Sequence, residues 1–124
     1  MDSEEIFHTV FFYYVSSLRT LSALDLAAHR NGRGNVVGWE LRQEILSGSY
    51  LVGKGVLSPS EEAAIRALAS AAADLPSSAT SFRGDNMSDP AWSPLQGRAR
   101  SIIALLEPRI MENRKYFKID GEDV

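Results

Sequence analysis

Several residues in this chain have types and spacings that could do chemistry. Gly48-Ser-Tyr-Leu-Val-Gly53-Lys54-Gly55 has the glycine and lysine spacing of a phosphate-binding loop. Such a loop needs a strand before it, a helix opening directly after it, and Ser or Thr after the lysine to hold magnesium. Here the preceding residues read as helical, Gly55 stands in the Ser/Thr place, and Val56-Leu57 lead to a separate helix start. A glycine-rich helix end is the expected reading.

The two histidines, His8 and His29, fall near opposite ends of one helical pattern and cannot share a metal within one chain. His29 lies one turn after Asp25, a spacing at which helical side chains touch. That pair would suit a histidine oriented by a carboxylate, yet no nucleophile or second carboxylate accompanies it. Glu40 and Glu44 are likewise one turn apart. Paired carboxylates can bind a metal or exchange protons, but neither a cleft nor helical histidine ligands are visible. Asp25, His29, Glu40 and Glu44 together form the enzymatic alternative. A solvated acidic face is the simpler reading of the glutamates, with partner binding as its functional version.

Composition narrows the field. The 124 residues include no cysteine, which excludes disulfides, thiolate metal sites and a cysteine nucleophile. A hydrophobic share of 44% suffices for one core. The net charge of −3 argues against a chain whose main task is gripping phosphate backbones. Arg98, Arg100, Arg109, Arg114, Lys115 and Lys118 make a local basic excess, but they scatter around a helix. No metal, cofactor, nucleic-acid or membrane role is expected. The acidic start and the short apolar runs predict residence in the cytoplasm.

The elements that must position these residues are helices. Phe7, Phe11, Tyr14, Leu18 and Leu21 are spaced 4, 3, 4, 3, one buried stripe on a helix over about Glu4 to Arg30. Ser3 can cap it, and His8 and Phe12 fall off the inner face. Asn35 can cap a second helix from Val36 to Ser47, with Val37, Leu41 and Ile45 inside. Gly48 either breaks that helix or bends it on towards Lys54. Ser58-Pro59-Ser60-Glu61 is a capping box with proline at the first helical position. It opens a third helix to about Asp74, with Ile65, Leu68, Ala72 and Leu75 inside. A long loop from Pro76 to Pro90 comes next. Asp89-Pro90 can start a single turn carrying Trp92. Ser93-Pro94 then opens a fourth helix to about Lys118, its stripe Leu95, Ala99, Ile102, Leu106, Ile110 and Phe117, kinked by Pro108. The expected architecture is all-α: one domain over 1–124, like a four-helix bundle, with a frayed acidic tail over about 119–124.

Aromatic residues off the inner stripes are the preferred anchors of protein contacts. The expected partner-binding residues are Trp39, Glu40, Gln43, Glu44, Tyr50, Phe82, Asp85, Met87, Asp89 and Trp92. Phe12 and its neighbours suggest an alternative: a homo-oligomeric structural or regulatory protein.

The stretch from Asn35-Val-Val-Gly-Trp39-Glu40-Leu-Arg-Gln-Glu44 through Gly48-Ser-Tyr50-Leu-Val-Gly53-Lys-Gly55 to Leu57-Ser58 and the capping box, together with Asp89-Pro-Ala-Trp92-Ser-Pro-Leu95, resembles small helical bacterial immunity proteins. These are encoded beside secreted polymorphic toxins, including those of contact-dependent growth inhibition. The resemblance covers about a third of the chain and rests on structural punctuation. It implies a small, rigid, non-enzymatic protein, monomeric or homodimeric, that blocks a cognate toxin domain. A basic partner would suit its acidic and aromatic surface.

Overall fold

Asp2, rather than Ser3, starts the first helix: its Oδ1 accepts the Glu5 amide at 2.8 Å, which places Ser3 inside the first turn. The computed structural model describes residues 2–24, 38–80 and 89–117. Among these, 84% are helical and none is in a strand. The elements are α1 (Ser3–Ala23), α2 (Gly38–Leu46), a 3-10 turn (Ser47–Leu51), α3 (Pro59–Ala73), α4 (Ser77–Thr80), a second 3-10 turn (Pro90–Trp92), α5 (Ser93–Leu105) and α6 (Glu107–Tyr116). The fold is all-α, as expected.

The stripe on α1 is the centre of the core. Phe7, Phe11, Tyr14, Leu18 and Leu21 are all buried, and Val15 joins them. The helix ends before the expected Arg30. Leu24 turns to extended backbone and its amide returns to the Leu21 carbonyl. Asp25 and His29 lie outside the described residues. The α2–3-10 segment on one side and α5 on the other each touch both α1 and α3. The core is therefore enclosed by these helices, closed by Leu41, Ile45, Leu51, Ile65, Leu68, Ala99 and Ile102.

Gly48 breaks α2 from α-helix to 3-10 turn. The tighter turn sets Leu51 into the core at 0% exposure and leads to Gly53 and Gly55, whose φ values of +80° and +76° favour glycine. The Ser58 capping box forms as expected: Ser58 Oγ accepts the Glu61 amide at 3.2 Å and Glu61 Oε1 accepts the Ser58 amide at 2.7 Å.

Helix C-termini leave carbonyls without intrahelical donors, and side chains from neighbouring helices satisfy them here. Gln96 Nε2 donates to the Leu21 and Leu24 carbonyls at 3.1 and 2.9 Å. Arg42 Nε donates to the Ala72 carbonyl at 3.0 Å. The first ties α5 to the end of α1, and the second ties α2 to the end of α3.

The expected fourth helix is two helices. α5 stops at Leu105, Leu106 takes φ −86° and ψ 2°, and α6 restarts with Pro108 in its first turn, where its missing amide costs no helical bond. The inner stripe continues across the break, since Leu106, Ile110 and Asn113 are all buried at four- and three-residue spacing. Ile110 stays inside, but Phe117, expected on the inner stripe, is 37% exposed.

Candidate binding surfaces

α2 is short and anchored on one side only. Gly38, Leu41 and Ile45 are buried, so Trp39, Glu40, Gln43 and Glu44, which share the opposite face by helical spacing, all point outward. Trp39 is 45% exposed despite its size. Glu44 is steadied from below: the Ser17 hydroxyl donates to its Oε1 at 2.7 Å, with the Tyr13 carbonyl 3.0 Å from the same hydroxyl. Four of the expected contact residues thus form one acidic, aromatic surface. As an enzymatic pair, Glu40 and Glu44 face solvent.

Tyr50 lies apart from this face, beyond the bend at Gly48. Its ring carries the Lys54 ammonium 4.3 Å from the centroid, a cation–π contact. The two residues border an open recess with Ser3, Glu4, His8 and Glu112. The glycine-lysine spacing around them does not build a phosphate cradle. The chain before it is helical, and the Gly53 amide donates to the carboxylate of Glu62 at 2.7 Å. An internal anion fills the role a phosphate would take.

Two expected contact residues are structural instead. Trp92 is fully buried, at 0% exposure, and its indole N–H donates to the Ala79 carbonyl at 3.0 Å. The Asp89-Pro90 turn forms as expected but swings this ring into the core. Asp89 caps that turn: its Oδ1 accepts the Ala91 amide at 2.9 Å, and its Oδ2 accepts the Ser78 hydroxyl at 2.7 Å. The Ser78 hydroxyl and the Ala91 amide hold its carboxyl below the usual aspartate range. Asp89 thereby ties the turn to α4. Phe82, Asp85 and Met87 lie outside the described residues.

A second surface forms around Phe12, the residue on which the self-association alternative rests. Where α1 meets α6, Phe12 (46% exposed) packs edge-on against Phe117 and Tyr13 (64% exposed). Beside them His8, expected on an outer face, is part of the interhelical contact. Its ring stacks on Tyr116 with centroids 3.8 Å apart, and its Nδ1 donates to Asn113 Oδ1 at 2.7 Å. Phe12 had a sequence signal, since it falls off the inner stripe. Phe117 read as an inner residue but stands just past the end of α6, and Tyr116 had no signal.

The basic residues of the last two helices serve different ends. Arg100 donates to the Ser22 carbonyl at 3.2 Å. Arg109 pairs with buried Glu61 at 3.2 Å and reaches Glu112 at 3.5 Å. Burial pushes the Glu61 carboxyl up, but the Ser58 amide and hydroxyl together with the Arg109 guanidinium outweigh it and hold the carboxyl below its ordinary range. This cluster joins the start of α3 to α6.

Among the described residues, no three His, Cys, Asp or Glu side chains are placed to hold a metal, and no helix is long and apolar enough to cross a membrane. No family model, no curated protein and no solved structure matches this chain.

Proposed function

We propose that this chain is a non-enzymatic binding module that acts by stoichiometric association with another protein, in the manner of an immunity protein neutralising a cognate bacterial toxin domain. The observation that carries the reading is the outer face of α2. Trp39 stands half-exposed on a helix whose other side is locked into the core by Leu41 and Ile45. Glu40, Gln43 and Glu44 surround it. A large aromatic held on a rigid element loses little entropy on docking and is the typical anchor of a protein interface. The flanking carboxylates favour a basic partner and speed its approach.

Co-expression with the product of the neighbouring gene, which the proposal takes to carry the toxin domain, tests the proposal. Protection of growth and co-purification at one-to-one stoichiometry are the expected results. Absence of both at micromolar concentration rejects it.

A second reading, self-association, draws on the Phe12, Tyr13 and Phe117 surface. Light scattering at high concentration separates the two, since a clean monomer removes it.

A further inference from the structure

The seam between α1 and α6 holds a recess of about 120 Å³. Its floor is apolar, made by Phe11, Val15 and Ile110, and half-exposed Phe12 forms one wall. This volume is of the order of the ~150 Å³ cavity known to hold benzene. It therefore has room for one bulky apolar side chain. Arg19 and Arg114 stand at its edge, and no carboxylate lines it.

The charges at this edge differ from those of Arg42, Arg100 and Arg109, which are engaged within the fold. Arg42 and Arg100 each reach backbone carbonyls, and Arg109 reaches two glutamates. Among the described residues, neither Arg19 nor Arg114 lies within ion-pair distance of a carboxylate. The Arg114 guanidinium instead touches the soft sulfur of Met111, at 3.5 Å. The chain as a whole is acidic, at −3, so two such guanidiniums beside an apolar hole form a local inversion of sign.

We infer that this recess is a docking site for an acidic amphipathic segment of another protein, which inserts one apolar side chain between α1 and α6 and sets carboxylates against Arg19 and Arg114. Guanidinium matches carboxylate geometry with two parallel hydrogen bonds, so the pair would fix orientation as well as supply attraction. A second copy is disfavoured by the same lining. Groove-to-groove docking brings four guanidiniums together and supplies no carboxylate from either wall. The site is separate from the α2 face, so the two surfaces can succeed or fail independently.

The test uses the isotope-labelled full chain and two synthetic helical peptides of about 14 residues, close to four turns. Both carry leucine at alternate three- and four-residue spacings. One has glutamate and the other lysine at the remaining positions. The glutamate peptide is expected to shift the amide signals of Phe12, Ser16, Arg19, Asn113 and Arg114. Its affinity is expected to fall at least about tenfold in Arg19→Glu/Arg114→Glu and to weaken with salt. Ser16→Trp, a change at an exposed position lining the recess, should block binding by filling it while leaving the circular dichroism spectrum intact. Equal binding of both peptides, signal shifts confined to other helices, or unchanged affinity in the charge-reversed variant would overturn the inference. So would binding seen only after residues 119–124 are removed, or self-association of the chain that covers the same signals.

Discussion

Gly48 lies directly beneath the ring of Tyr14, so that a Cβ placed on Gly48 would fall within 3.0 Å of three carbons of that ring. Tyr14 is 1% exposed and hemmed in by the α1 stripe, so the ring has little room to retreat. The close approach explains why glycine, with no side chain, stands at this point of the 3-10 turn. Gly48→Ala is expected to destabilise the protein by about 1–3 kcal/mol, the usual cost of overpacking a core. Chemical denaturation measures it. In a double-mutant cycle with Tyr14→Leu the two costs should fall short of their sum, because the smaller side chain makes room for the new methyl. Strict additivity would show that the two residues do not press on each other.

The Tyr14 hydroxyl is buried and has no hydrogen-bond partner among the described residues. Burial pushes its ionisation far up, out of the range in which it could titrate in the folded chain. An unsatisfied buried hydroxyl costs its desolvation without a return. Tyr14→Phe is therefore expected to leave stability unchanged or raise it by about 1 kcal/mol. A loss of about 2 kcal/mol or more on that same scale would mean that the hydroxyl has a partner in solution.

Glu61 should make stability depend on acidity. Its folded carboxyl sits below the ordinary glutamate value of 4.5, so the unfolded chain takes up protons first as pH falls. The stabilisation is fully present above that value and is lost as pH drops through the folded one. Glu61→Gln keeps an acceptor for the Ser58 amide but removes the charge paired with Arg109, and should cost about 1–2 kcal/mol near neutral pH. It should also flatten the decline in stability below pH 4.5. Parallel acid-denaturation curves for the two proteins would contradict the assignment.

Much of this architecture was legible because it is local. The 4-3-4-3 spacing on α1 identified Phe7, Phe11, Tyr14, Leu18 and Leu21 as buried, and Ser58 to Glu61 announced the start of α3. The direction of side chains outside continuous helix was not legible. Trp92 sits on a 3-10 turn, which does not continue the helical period, so its inward direction had no periodic signal. Phe117 stands just past the end of α6, where the spacing that buries Leu106 and Ile110 no longer fixes its direction. His8 looked external because its partner Asn113 is 105 positions away, and no local pattern reports such a contact. The α2 surface was readable for the opposite reason: Trp39, Glu40, Gln43 and Glu44 lie within two turns of one helix.

The two tryptophans should separate folding from binding. Trp92→Ala empties a fully enclosed site and strips the Ala79 carbonyl of its donor, so a loss of about 3–5 kcal/mol is expected. Trp39→Ala removes a half-exposed ring and should cost much less, about 1 kcal/mol. Thermal melts of both variants check this. A strongly destabilised Trp39 variant would move that residue from the interface to the scaffold.

Calorimetric titration of the purified chain against the product of its neighbouring gene, the proposed toxin domain, probes the binding claim most directly. One-to-one association well below micromolar is predicted, weakened by about 2 kcal/mol or more in Trp39→Ala and further, in a salt-dependent way, in Glu40→Lys/Glu44→Lys. Tight binding that ignores all three substitutions would place the contact elsewhere, and no measurable heat with no protection of growth would contradict the account.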